Sequence, residues 1–321
     1  MNRLIRTAAA FVAATIVLGA HAQGYPTRPV KIVVPFGPGG FTDVVARILQ
    51  TQLGVALGQP IVIENKPGAG STIGTAEVAK AKPDGYTLAM VSTTHVITPA
   101  IYKKMPYDAL ADFTPVMKLA EGPYVLVVHP SLPARTVKEL VALAAAEPGK
   151  IDYASSGNGS SQHLVGALFG QMAGVKLNHI PYKGSGQAMQ DLVGGQVKVS
   201  FVGAPNAVPY LASGKLRALG VTTKRRSADL PDIPSIDEAG VPGYDATLWL
   251  GLLAPPGTPA DVVAKLREGV TKALSTPEAR KLVNSAGVDV ALTSPEEFAA
   301  LMKSELERWG KVVRETGATV N

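Results

Sequence analysis

Cysteine is absent from all 321 residues. That excludes disulfide staples, thiolate metal sites and cysteine nucleophiles, so the core must hold by packing alone. Beyond the first residues, no segment is apolar for long enough to span a bilayer. Excess charge is also scarce. The formal balance is +6, and setting aside Arg3 and Arg6 leaves 29 basic against 25 acidic side chains. The one basic cluster, Lys224-Arg225-Arg226, has no interleaved aromatics and no nucleic-acid motif near it. It reads as a solvated loop, and nucleic acid is not an expected partner. The mild positive field still suits a protein that collects anions.

Catalytic patterns are missing too. His95, His129, His163 and His179 include no i, i+4 pair and no H-E-x-x-H, so neither a catalytic metal nor a cofactor is expected. Ser160 and His163 stand three apart at a helix start. A Ser-His nucleophile would also need an orienting acid and an oxyanion hole, and no G-x-S-x-G elbow exists. A serine hydrolase is therefore the weaker reading, and a binding protein without catalytic residues the stronger.

What is present begins with an export signature. Arg3 and Arg6 precede the apolar "TAAAFVAATIVLGA" of Thr7 to Ala20, and Ala20-His21-Ala22 is a small-x-small cleavage site. Residues 1–22 are expected to be a cleaved signal peptide that sends the chain to the periplasm. The remaining 299 residues suffice for two domains.

Short apolar runs then alternate with helix-period segments. "VKIVVPF" reads as a strand followed by a helix from about Thr42 to Leu57, "IVIENK" as a second strand, and "YTLAMVS" as a third. "YVLVVHP", from Tyr124, opens another series with strands at "KIDYAS", "LNHIPY", "VKVSFV" and "LRALGVTT". Thr136 with Glu139, and Ser294 with Glu297, are helix-start pairs. Lys224 to Tyr244, rich in proline and charge, reads as an irregular crossing, and helices follow from Thr258 onward. This alternation predicts an α/β chain of doubly wound parallel sheets. Two series with two crossings suggest two lobes, and ligands bind such sheets at the carboxyl ends of the strands.

Four strand-to-helix loops are rich in small donors. In "VPFGPGGFTD", Gly37, Gly39 and Gly40 let backbone approach a ligand, while Thr42 or Asp43 can cap the helix. The amides of that first turn form an anion site by geometry and dipole, though a tight turn that binds nothing fits equally. "SSGNGSSQHL", Ser155 to Leu164, has more hydroxyls than one cap needs. "STTH", Ser92 to His95, and "YKGSGQ", Tyr182 to Gln187, occupy equivalent places.

The chain resembles the Bug-type extracytoplasmic solute receptors, the substrate-binding components of tripartite tricarboxylate transporters. The similarity runs through "YPTRPVKIVVPFGPGGFTDVVAR", "ENKPGAGSTIGTAEVAKAKPDGYTL", "YDALADFTPV", "YASSGNGSSQHL", "IPYKGSGQAMQDLVGGQV" and "WLGLLAPPGTP". The resemblance implies a two-lobed type II periplasmic-binding-protein fold, each lobe a mostly parallel sheet flanked by helices. Lobe 1 would take residues 23–122 plus about 225–321, and lobe 2 about 123–224.

It further implies a non-enzymatic receptor for a small carboxylate that partners membrane transporter subunits and works as a monomer. A loaded sensor signalling to a membrane kinase is the alternative. Carried over, the ligand-binding residues are Gly37, Pro38, Gly39, Gly40, Phe41, Thr42 and Asp43 on lobe 1. On lobe 2 they are Ser155, Ser156, Gly157, Gly159, Ser160 and Ser161. Ser92, Thr93 and Thr94, with Tyr182, Lys183 and Gly184, would line the rest. The chain departs from many relatives at Phe41, where a small or polar residue is common, and at Val202 and Lys198, where aspartate is common. Without those carboxylates an ammonium group lacks a partner, which favours a dicarboxylic or aromatic acid over an amino acid.

Overall fold

The computed structural model describes residues 24–317 except 103, 228, 286 and 287; the expected signal peptide lies outside the described residues. β1 (Val30–Val34) is almost wholly buried, as its unbroken apolar run requires. Parallel strands flank it, β2 (Ile61–Asn65) on one side and β3 (Thr87–Ser92) on the other. α1 (Phe41–Leu57) buries Val45, Leu49, Leu53 and Leu57, a four-residue spacing that keeps one face on the sheet. Gly58, in the left-handed region at φ 66°, ends it. α2 (Thr72–Ala79) leads from β2 towards β3, and α3 (Thr94–Ile101) follows β3 after a single residue.

β4 (Thr114–Val128) is the longest strand and opens a second series. This series comprises α4 (Val137–Ala146), β5 (Asp152–Ser155), α5 (Ser161–Ala173) and β6 (Asn178–Pro181). It continues through α6 (Ser185–Val193), β7 (Val199–Gly203), α7 (Ala204–Ala212) and β8 (Arg217–Val221). After an irregular connection come β9 (Thr247–Ala254), α8 (Ala260–Leu274), α9 (Pro277–Ser285), β10 (Asp289–Val290) and α10 (Pro295–Thr316).

The strands run β2-β1-β3-β9-β4-β7-β5-β6, with β8 and β10 also pairing with β4. The outer strands are parallel, β1 with β2 and β3, and β5 with β6 and β7. The centre is antiparallel: β9 lies between β3 and β4, and β4 opposes β7 and β8. The expectation of mostly parallel sheets is thus corrected to one mixed sheet. β9 arrives from an irregular connection rather than over a crossover helix, and an antiparallel place needs no such crossover.

β4 changes partners along its length. Residues up to Pro123 pair with β9, and from Tyr124 onward they pair with β7 and β8. The connection after β8 is pinned beside it: Val221 N–H donates to Pro234 O (2.8 Å) and Ile236 N–H to Val221 O (2.9 Å). Tyr244, fully buried, donates from its hydroxyl to Val165 O at 2.8 Å. α10 closes the opposite end over β9, where Gly251 admits the Phe298 ring at a distance no side chain would allow. Among the described residues no helix is long and apolar enough to cross a membrane.

Candidate functional site

A cavity of about 460 Å³ opens where the first loop meets the loops after β5, β6 and β7. Six helices begin at its wall. They are represented by Gly40, Phe41 and Thr42 of α1, Ser71 before α2, Thr94 of α3, and Ser160 and Ser161 of α5. Gly184 and Ser185 mark α6, and Gly203 and Asn206 mark α7. Only α5 has a side-chain cap among these, Ser160 Oγ accepting from His163 N at 3.3 Å. α1, α2, α6 and α7 start without one, and α3 has none from its N-cap Thr93, though Ser92 Oγ takes its first amide. Away from the cavity, α4 is capped by Thr136 and α10 by a full Ser294–Glu297 capping box. Uncapped helix starts leave main-chain N–H groups and partial positive charge directed at the space in front of them. Among the described residues the wall holds no carboxylate, and Lys183 is its one cation. The site is electropositive chiefly through its backbone.

Hydroxyls add further donors. Ser161 Oγ accepts from Thr94 Oγ1 at 3.1 Å and from the Tyr124 hydroxyl, while its own N–H donates to Thr94 Oγ1 at 3.2 Å. Both acceptor positions of Ser161 are filled, which leaves its proton to donate elsewhere. Burial holds the Tyr124 phenol protonated, its pKa raised well above the ordinary value, so it stays a donor. Ser92 Oγ accepts from Thr94 N at 3.3 Å. Phe41, Met189, Val202 and Leu248 supply apolar wall; Phe41 lies against Gly203, where a Cβ would come within 3.4 Å of its own. Lys198 is elsewhere, its Nζ bonding Ser131 Oγ at 2.9 Å.

Of the residues expected at the site, Gly37, Gly40, Phe41, Thr42, Ser92 and Thr94 line the cavity from the first half of the fold. Ser156, Gly157, Ser160, Ser161, Tyr182, Lys183 and Gly184 line it from the second. Six others do not line it: Asp43, Thr93, Ser155 and Gly159 are set back from it, and Pro38 and Gly39 are exposed at the surface. Burial works against the Asp43 carboxylate, yet bonds from Arg47 Nε, Gly39 N–H and Asn65 Nδ2, each 2.9 Å, keep its pKa below the usual range. It therefore braces the glycine loop from inside. Pro38 belongs to the same turn but does not reach the cavity. Gly39 O accepts from Asn206 Nδ2 at 2.9 Å, tying the first loop to α7. Thr93 Oγ1 accepts from Trp249 N at 3.1 Å.

Ser155 and Gly159 are held by two histidines. Ser155 Oγ lies 2.6 Å from His179 Nε2, and Gly159 N–H donates to His163 Nδ1 at 3.2 Å. The two rings stack with centroids 3.8 Å apart. Burial pushes His163 down to about 4; burial, together with the neighbouring His163, pushes His179 down to about 3. Both are neutral at neutral pH. Ser160 thus meets the main chain of His163, not its ring, and the geometry a serine nucleophile needs is not formed.

Sequence reasoning missed the Pro67–Ser71 turn, Tyr102, Tyr124 and Asn206, all in the wall. The "PGAGS" turn did carry a usable signal, since it stands between a strand and a helix just as the first loop does.

The profile of the tripartite tricarboxylate transporter family receptors matches residues 45–318. Three solved structures are similar throughout. The periplasmic binding protein BugD is 36% identical, covering 92% of this chain and 99% of its own, with a TM-score of 0.87. Rpa4515 of Rhodopseudomonas palustris, solved with adipate, is 37% identical at a TM-score of 0.89, covering 92% and 100%. MatC of the same organism, with bound malate, is 37% identical at a TM-score of 0.84, covering 90% and 100%. The architecture is accordingly that of periplasmic binding proteins.

Proposed function

The chain belongs to the tripartite tricarboxylate transporter receptor family, and on that premise we propose that its cavity captures a small organic acid and releases it to membrane transporter subunits. It is a periplasmic receptor, not an enzyme. The acid is dicarboxylic or aromatic. Adipate and malate in two relatives at 37% identity support the first class; Phe41 in the wall supports the second.

A carboxylate entering the cavity exchanges water for charge-assisted bonds from backbone N–H and hydroxyl donors. The clamps are Gly37, Gly40 and Thr42 from one side and Ser156, Gly157, Ser160 and Ser161 from the other. Thr94 and the Tyr182–Gly184 loop complete the enclosure. The two halves of the sheet act as lobes, residues 23–122 plus about 225–321 forming one and about 123–224 the other, with the return crossing in the connection that starts near residue 225. The receptor closes by hinge motion and acts as a monomer.

One observation carries this reading: uncapped helix starts converge on a cavity whose wall, among the described residues, has no carboxylate. Thermal shift and calorimetry with adipate, malate and benzoate, beside the neutral diamide of adipic acid, test it. We expect one-to-one binding and a raised melting temperature with at least one acid and none with the diamide. Equal binding of the diamide, or no response to any acid, overturns the reading.

A further inference from the structure

Ser71 occupies the position before α2, where a serine ordinarily accepts a hydrogen bond from an early amide of the helix. Here it does not: α2 has no side-chain cap. Ser71 is 4% exposed, its Oγ is buried without any hydrogen-bond partner, and the residue lines the cavity. A buried hydroxyl left unpaired is destabilising, because it has given up water and gained nothing.

The backbone adds a second cost. Ser71 sits at φ 77°, in the left-handed region that favours glycine, and Ala69 precedes it at φ 44°. Neighbours fix this turn firmly: Thr98 Oγ1 donates to Gly70 O and Thr75 Oγ1 to Ser71 O, both at 2.9 Å. A glycine at 71 would remove the strain and the orphan hydroxyl together. Strain kept at a pocket wall calls for a functional reason.

The place of the turn suggests which part of a ligand it meets. On α3, Thr94 bonds Ser161 of the opposite loop, while Thr98, one turn later, bonds Gly70 beside Ser71. One turn is about 5.4 Å. The two polar regions are therefore separated by roughly the length of a short aliphatic chain. Tyr102 lines the cavity on the Ser71 side, its hydroxyl 3.1 Å from where a Cβ on Gly70 would stand.

We propose that the Ser71 hydroxyl contacts the ligand and sets specificity, donating to the second polar end of a two-ended acid whose first carboxylate lies among Thr94, Ser160 and Ser161. The inference rests on the carboxylate-receptor reading and narrows it to acids that carry two oxygenated ends.

Calorimetry on the mature protein with adipate and with hexanoate, the same chain length with one carboxylate, tests it in the parent, Ser71→Gly and Ser71→Ala. The parent prefers adipate. Both variants lower the adipate-to-hexanoate affinity ratio about tenfold. The ligand-free melting temperature of Ser71→Gly rises, because the strain is gone, so affinity and stability move in opposite directions. An unchanged ratio in Ser71→Gly, or a parent that binds hexanoate as tightly as adipate, overturns the proposal while leaving a carboxylate receptor intact. So does a Ser71→Gly protein that melts lower and weakens both acids equally. If no acid binds the parent, both readings fall.

Discussion

Two buried histidines, His95 and His163, and the half-buried His179 set how the chain responds to acid. Burial pushes His95 down to about 4, in the company of His163 at about 4 and His179 at about 3. His95 Nε2 lies 2.8 Å from Ala109 O, which requires the proton on that nitrogen and leaves Nδ1 unprotonated. Their folded values lie below the ordinary 6.5, so the unfolded chain takes up protons that the folded rings refuse. Stability is full above about pH 6.5 and falls as pH drops towards 4, by up to about 1.4 kcal/mol per pH unit for each ring. Melting curves from pH 8 to pH 4 check this. His179→Gln is expected to flatten the decline by about one proton's worth, and a flat profile in the parent would refute the assignment. At this scale the sequence was partly legible. It marked the loops, but Asp43 and Thr93 brace them rather than line the cavity, because their partners Asn65 and Trp249 meet them only in the folded chain.

Elements with local signals were read well. Glu139 N–H bonds the Thr136 side chain at 3.2 Å, Ser294 and Glu297 form their capping box, and Gly174 ends α5 in the left-handed region. β4 is legible in the sequence only from Tyr124 onward. Its first ten residues, "TPVMKLAEGP", contain two prolines, a glycine and two charges, and are a strand only because β9 lies beside them. The antiparallel place of β9 was hidden for the same reason: nothing local specifies a neighbour so distant in the chain. Across the cavity, Asn206 ties α7 to the first loop through its bond to Gly39 O. Asn206→Ala removes one exposed bond, worth about 0.5–1.5 kcal/mol. It should lower the ligand-free melting temperature by at most a few degrees and weaken ligand binding a few-fold. Calorimetry beside a melting curve reads both, and an unchanged affinity would show that this bond does not support the bound form.

For the molecule as a whole, β4 is the decisive strand. It belongs to both halves of the sheet and passes from β9 to β7 and β8 at Pro123 and Tyr124. The bend available there is constrained, since a Cβ on Gly122 would stand 2.5 Å from Val288. Closure about this passage predicts a smaller molecule when loaded. Small-angle scattering should give a radius of gyration of about 19 Å, falling on addition of a bound acid and unchanged by the neutral diamide. Equal radii with and without a bound acid would argue for a rigid container.

The cavity's uncapped helix starts carry a consequence for how such a molecule can diverge. Main-chain amide protons are not encoded by any particular residue, and only proline takes one away. Point changes can reshape the lining and retune which molecule fits, while affinity for negative charge outlasts them.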